Sequence, residues 1–263
     1  MAHRFDGRTV LVTGTTGIAA AAARALADEG ASVFVTSRTQ QHVDELVASL
    51  GDRAAGQVAD LSQEEAVQSV VDACVARFGR LDCVYNVAGI SGRRFGDGPL
   101  HEMTLDGWHT VMANNATSQF LVCRAAVRQM LTQDPDASGA RGAILTMSSV
   151  LARHPSPGYF ATHGYAASKG AIEAFTRAAA AYYAPQGIRL NAIAPALVAT
   201  PMSRRAQTDP DIVAFAMRKQ PLAAGLLAPE DLVGTALYLL SDDARVITGQ
   251  VIDVDGGWSV SDA

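Results

Sequence analysis

The chain has 263 residues, of which 49% are hydrophobic and 18% charged, with a net charge of −5. This composition excludes a disordered or collagen-like chain, and an acidic balance without a basic cluster argues against a nucleic-acid partner. No apolar run approaches the ~18 residues of a membrane span, the N-terminal MAHRFDGR lacks the apolar core of a signal peptide, and Cys74, Cys83 and Cys123 lie singly in apolar runs, as buried reduced thiols do.

In chain order, the first predicted element is the strand TVLVT at 9–13, which runs straight into the turn TGTTGIA at 13–19 and then into an alanine-rich helix over 19–29. Gly14 and Gly17 let the backbone turn tightly and approach a pyrophosphate, which the free N–H groups at the start of the helix would hold. Gly30 supplies the stop of that helix. The second strand, SVFVT at 32–36, ends in Val35, Thr36, Ser37 and Arg38. At this place an acid holds the ribose hydroxyls of NAD, whereas an arginine suits the 2′-phosphate of NADP. The acid is absent and Arg38 is present, so the expected cofactor is NADP(H) in preference to NAD(H).

A helix over 43–50, a weaker strand AAGQVA at 54–59 and a helix over 63–78 follow. Next come the strand CVYNV at 83–87, one long helix over 105–131, a turn-rich loop over 135–141 and the strand AILTM at 143–147. The second half holds a helix over 164–184, the strand RLNAIA at 189–194, a mobile helical flap over 202–221, a helix over 229–240 and the strand QVIDV at 250–254. Near-continuous apolar strands alternating with helices imply an α/β fold, a parallel sheet of about seven strands with helices on both faces. With neither a repeat nor a long linker, the expected organisation is a single domain over residues 1–263.

The helix predicted over 164–184 carries Tyr165 and Lys169, four residues apart and hence on one face. Tyrosine has an ordinary pKa of about 10. A neighbouring ammonium favours the phenolate, so Lys169 is expected to draw the Tyr165 pKa down toward neutral pH and let it exchange a proton with a carbonyl or alcohol oxygen.

Taken together, these motifs and six more resemble the short-chain dehydrogenase/reductase family over nearly the whole chain. The further motifs are Asp60 in VADLS, Asn86 to Gly89 (NVAG), Trp108 to Asn115 (WHTVMANN), Ser148 and Ser149 in MSSV, the run NAIAPA at 191–196 with Thr200 after it, and Asp255-Gly256-Gly257. The resemblance implies a Rossmann-like doubly wound sheet and hydride transfer between NADP(H) and a ketone or secondary alcohol. It implies a catalytic set of Asn115, Ser149, Tyr165 and Lys169. Contacts to the cofactor would come from Gly14, Thr16, Gly17, Ile18, Ser37, Arg38, Asp60, Leu61, Asn86, Ala88, Gly89, Tyr165, Lys169, Pro195, Val198 and Thr200. Three departures stand out: a shortened glycine turn with Ala19 or Ala20 in place of its last glycine, Ala196 in place of the glycine after Pro195, and a spacing of 16 positions from Ser149 to Tyr165, about three more than the family's usual spacing.

The longer segment, LARHPSPGYFATHG at 151–164, brings Tyr159 and Phe160 near the site; with Val150, Leu197 and Met202 they are the expected substrate-pocket residues. His154 and His163 lack a third ligand at metal spacing, so no metal is expected. The expected partner is a small carbonyl or alcohol substrate, with neither nucleic acid nor membrane, in the cytoplasm. The alanine-rich 178–181 stretch before Tyr182 and Tyr183, read with the resemblance, implies a homotetramer. Two alternatives within the same fold are a 3-oxoacyl-thioester reductase, using Arg93, Arg94, Arg204 and Arg205 against an acyl carrier, and a nucleotide-sensing regulator without turnover. An isomerase or dehydratase with a bound cofactor is a third.

Overall fold

The computed structural model describes residues 3–261. Seven strands form one parallel sheet: β1 (Thr9–Thr13), β2 (Ser32–Ser37), β3 (Ala54–Val58), β4 (Cys83–Asn86), β5 (Gly142–Met147), β6 (Ile188–Pro195) and β7 (Val251–Val254), in the spatial order β3-β2-β1-β4-β5-β6-β7. Every pair is parallel, with Val12 beside Val35 and Tyr85 across β1, and Leu145 beside Asn191. The strand order reverses between β1 and β4, so the loops leaving the carboxyl ends of these strands diverge and open a crevice there.

Two apolar layers fix this sheet, and strand periodicity sorts the residues between them. Val10, Val12, Val33, Val35, Cys83, Tyr85 and Leu145 pack on one face. They meet α1 (Ile18–Asp28), α2 (Gln40–Leu50) and α9 (Val233–Leu240). The intervening Leu11, Phe34, Val84 and Ile144 pack on the other face. There they meet α3 (Glu64–Phe78), α5 (Ser118–Thr132) and α6 (His163–Tyr183). Because both faces are buried, the inner strands β1, β2, β4, β5 and β6 read as near-continuous apolar runs, whereas the edge strands β3 and β7 are only partly covered. Gly30 ends α1 at φ +93°, with its N–H donating to the Ala27 carbonyl and the Ala31 N–H to that of Leu26, the expected left-handed stop. The segment 202–221 is helical, as α7 (Arg204–Thr208) and α8 (Pro210–Lys219).

The one long helix expected over 105–131 is interrupted. Helix α4 (Leu105–Met112) passes into a π turn, Ala113–Thr117, before α5 begins. A π turn inserts one extra residue into the helical ladder. Here it turns the fully buried Asn115 toward the loop after β4, where its Oδ1 accepts the Ile90 N–H at 2.7 Å and its Nδ2 donates to the Ile90 carbonyl at 3.2 Å. Tertiary hydrogen bonds hold the break; no glycine or proline marks it.

Candidate active site

The crevice above β1, β4, β5 and β6 is a cleft of about 290 Å³. One wall is the glycine turn. Gly14, at φ +102°, lies against Ala19, whose Cβ would stand 3.0 Å from a Cβ at Gly14. The alanine in the shortened turn therefore packs as closely as a glycine partner there permits. Gly17, at φ +53°, faces Thr200, and a Cβ on it would meet the threonine methyl at 2.9 Å. Among the described residues no side chain caps the start of α1, so the N–H groups of its first turn are open toward the cleft. Among the described residues the buried Thr15 hydroxyl on the same turn has no hydrogen-bond partner.

Three expected residues meet on the opposite wall. Ser149 lies two residues past the end of β5, and Tyr165 and Lys169 rise from the first turns of α6; all three line the cleft. Of the two serines, Ser148 turns its hydroxyl to the buried Glu173 carboxylate at 2.9 Å, and the Ser149 hydroxyl, on the side of Tyr165, accepts the Leu151 N–H at 3.3 Å and donates to the Pro195 carbonyl at 3.5 Å. Asn115 lies behind them, its Nδ2 also donating to Ser168 Oγ at 3.1 Å on α6. It ties the loop after β4 to the helix of Tyr165 and Lys169.

The electrostatics differ from the sequence expectation. Burial raises the Tyr165 pKa, and the neighbouring Ser149 hydroxyl offsets this only in part. Lys169 does not draw the tyrosine down. Its Nζ donates to the Met147 carbonyl at 2.8 Å and stands 5.5 Å from the Tyr165 ring centre. Burial lowers the lysine's own pKa to about 7. Desolvation penalises the charged form of both groups and outweighs their mutual attraction.

This has a consequence for stability. Across the window from about 7 to 10.5 the folded protein binds fewer protons at Lys169 than the unfolded chain does. Unfolding free energy should therefore rise with pH through that window, and the cost of burying the charged amine is greatest below pH 7. Relative to Lys169→Met, the native protein should gain about 2 kcal/mol between pH 7 and 9. Denaturant titrations at several pH values would show it; parallel profiles would mean that the lysine keeps its ordinary pKa.

The outer part of the cleft is aromatic. Phe160 lines it, as do Val150, Leu197 and Met202. The Tyr159 ring instead packs on Phe215 at 5.2 Å and does not line the cleft. Trp258, which sequence reasoning missed, also lines it, 5.9 Å from Phe160, with Nε1 donating to the His154 carbonyl at 3.4 Å. Arg153 anchors the long loop by pairing with Glu173 and Asp253. Gln220, fully buried, accepts the Leu197 N–H at 2.7 Å and donates to its carbonyl at 3.1 Å, which fixes that wall. Asp97 was also missed. It is buried, and its two oxygens accept the N–H groups of Gly164 and Tyr165, both at 2.9 Å, so a carboxylate caps α6 at the backbone of Tyr165 itself.

Thr16, Ile18, Ala88, Gly89, Pro195, Val198 and Thr200 line the cleft as expected. Ser37, Arg38, Asp60 and Leu61 do not; they lie at and beyond the carboxyl ends of β2 and β3. Arg38 donates to Asn114 at 3.2 Å, and Asp60, held below the usual carboxylate range chiefly by Ser62 and in part by Arg38, accepts the Ser62 N–H at 3.0 Å. Asn86 is buried in β4, accepting from Thr13 Oγ1 at 3.0 Å and donating to the Gln119 carbonyl, so its side chain is a clasp under the cleft. Among the described residues no group of three or more His, Cys, Asp or Glu is placed to hold a metal ion. The three cysteines are buried and unpaired, with burial pushing each pKa up to about 12.

A family model described as Enoyl-(Acyl carrier protein) reductase matches residues 12–259. Momilactone A synthase of Oryza sativa subsp. japonica is 37% identical over 98% of this chain and 92% of its own length. D-threitol dehydrogenase of Mycolicibacterium smegmatis is 34% identical over 98% and 95%. Among solved structures, the 3-ketoacyl-(acyl-carrier-protein) reductase of Brucella melitensis complexed with NADH superposes with a TM-score of 0.86 at 29% identity, covering 97% of this chain and 99% of that one.

Proposed function

The chain belongs to the short-chain dehydrogenase/reductase family, and from that membership we propose that it transfers a hydride between NADP(H) and a partly apolar ketone or secondary alcohol. The observation that carries this reading is the convergence of Ser149, Tyr165 and Lys169 on one cleft whose facing wall is an uncapped helix start behind a glycine turn.

The residues present fit a dinucleotide. The open N–H groups of α1 and the positive-φ glycines offer a cradle for a diphosphate. A Cβ on Gly89 would meet Asn115 Oδ1 at 2.8 Å, so only a glycine keeps the backbone that close to the site. Ile18, Pro195, Val198 and Thr200 would flank the nicotinamide half, and Arg38, with Ser37, would take the 2′-phosphate. The nicotinamide, when bound, supplies or accepts the hydride. In reduction the protonated Tyr165 donates its proton to the substrate oxygen, which the Ser149 hydroxyl orients. A tyrosine whose pKa is raised stays protonated at neutral pH, which suits the acid's part. Lys169, titrating near 7, can return a proton to the tyrosine, and Asn115 keeps that helix and the loop after β4 in register.

Cofactor choice is tested at Arg38. Arg38→Ala should weaken NADPH binding by about 1.5–3 kcal/mol, the scale of a hydrogen bond to a charged group, with NADH nearly unaffected. Equal affinity of the native protein for the two would make Arg38 an ordinary loop charge. A 3-oxoacyl thioester is the second substrate class, favoured by the likeness to the Brucella reductase; an acetoacetyl thioester beside simple ketones would separate the two.

We further assign a cytoplasmic homotetramer. Exposed Phe120 on α5 and Tyr182 on α6 offer one apolar face, and Ile252 and Val260 another at the free edge of β7. Two isologous contacts of this kind close a tetramer. Light scattering should give four times the chain mass at micromolar concentration; a monomer mass would remove the assignment.

A further inference from the structure

Arg93 and Arg205 come to the rim of the cleft from opposite sides. Arg93 belongs to the turn after β4 and Arg205 to α7, yet an Nη2 of each donates to the same acceptor, the main-chain carbonyl of Tyr159, Arg205 at 3.2 Å. Both line the cleft together with Phe160 and Met202. Among the described residues neither has a carboxylate within 4.0 Å, although Arg4, Arg8, Arg80, Arg124, Arg153 and Arg177 all do. The acid nearest in effect to Arg93 is Asp97, and both of its oxygens are engaged by the start of α6.

A neutral carbonyl thus gathers two cations without compensating either. Burial disfavours the charge on Arg93, and Arg205, a like charge brought close, adds to this. Each guanidinium has five N–H donors and spends few of them here. Arg94, by contrast, stacks on Phe95 and does not line the cleft. An anion seated between the two forks would neutralise the pair and could take two hydrogen bonds from each plane.

We propose that this arginine pair recognises an anionic group, a carboxylate or phosphate, at the end of the substrate remote from the reacting carbonyl, with the aromatic wall of Phe160 and Trp258 holding the apolar body between. The proposal rests on the hydride-transfer reading of the cleft.

The test compares methyl ketones with a terminal carboxylate, 4-oxopentanoate through 8-oxononanoate, each against its own methyl ester, with NADPH. For the chain length that fits, kcat/KM for the acid should exceed that for the ester by about tenfold or more, the scale of a hydrogen bond to a charged group. The ratio should fall toward one in Arg93→Gln/Arg205→Gln and in Arg205→Gln, and in the native protein as sodium chloride is raised. A second arm sets acetoacetyl-pantetheine against acetoacetyl-4′-phosphopantetheine; a preference for the phosphorylated thioester alone assigns the anion to phosphate. A ratio near one in both arms, or a ratio that survives the arginine substitutions and salt, overturns the proposal. Failure of the native protein to reduce any ester or thioester with NADPH or NADH overturns the hydride-transfer reading instead, so the two failures are distinguishable.

Discussion

Replacing Tyr165 with phenylalanine is expected to lower turnover of a ketone by at least ~10²-fold, the usual scale of general acid catalysis, with cofactor affinity nearly unchanged. The substitution removes only the hydroxyl. The ring is half-buried at the start of α6, and its backbone N–H stays bound to Asp97, so the helix keeps its place. What is lost is the proton donor next to Ser149. Steady-state kinetics together with a cofactor titration separate this from a damaged fold. Near-normal turnover would remove Tyr165 from the mechanism.

The second large effect is expected at Phe160. Its ring lines the cleft and stacks edgewise on Trp258. Truncation to alanine should weaken the transition-state complex of an apolar ketone by about 1.5–3 kcal/mol, the contribution of one buried side chain, or roughly 10- to 150-fold in kcat/KM. The Kd for NADPH should change much less. Tyr159→Ala is the control, because that ring packs on Phe215 and does not line the cleft. A larger effect at Tyr159 than at Phe160 would mean that the wall is assembled differently during turnover.

How much of this could be read from sequence depends on where each signal lies. The five inner strands, buried on both faces, write themselves as apolar runs, so they could be placed and their parallel sense inferred; the edge strands β3 and β7 are only partly covered, and AAGQVA is the weaker signal for that reason. The glycine turn, Ser149, Tyr165 and Lys169 stand in motifs with fixed local spacing, and the structure brings them to one cleft. Features set by distant parts of the chain were not legible. The π turn at Asn115 arises from hydrogen bonds to Ile90 and Ser168, and the helical pattern of 105–131 carries no trace of it. Asp97 reads as an ordinary loop acid until α6 is placed over it. The Tyr165–Lys169 spacing showed that the two share a face, but the direction of their pKa shifts is set by burial, which only the packed structure shows. The signal for Trp258 is its position directly after Asp255, Gly256 and Gly257. Which of Tyr159 and Phe160 faces inward is likewise a matter of loop anchoring, through Arg153 to Glu173 and Asp253.

The most direct test of the central claim is to follow the hydride itself. The native protein is incubated with a methyl ketone and NADPH carrying deuterium at both C4 positions of the dihydronicotinamide, and the product is examined by mass spectrometry. Hydride transfer predicts a secondary alcohol with one deuterium on the former carbonyl carbon and loss of the reduced-nicotinamide absorbance in equal amount. Product formed without deuterium and without a change in that absorbance would contradict the account and point to chemistry that keeps its cofactor unchanged.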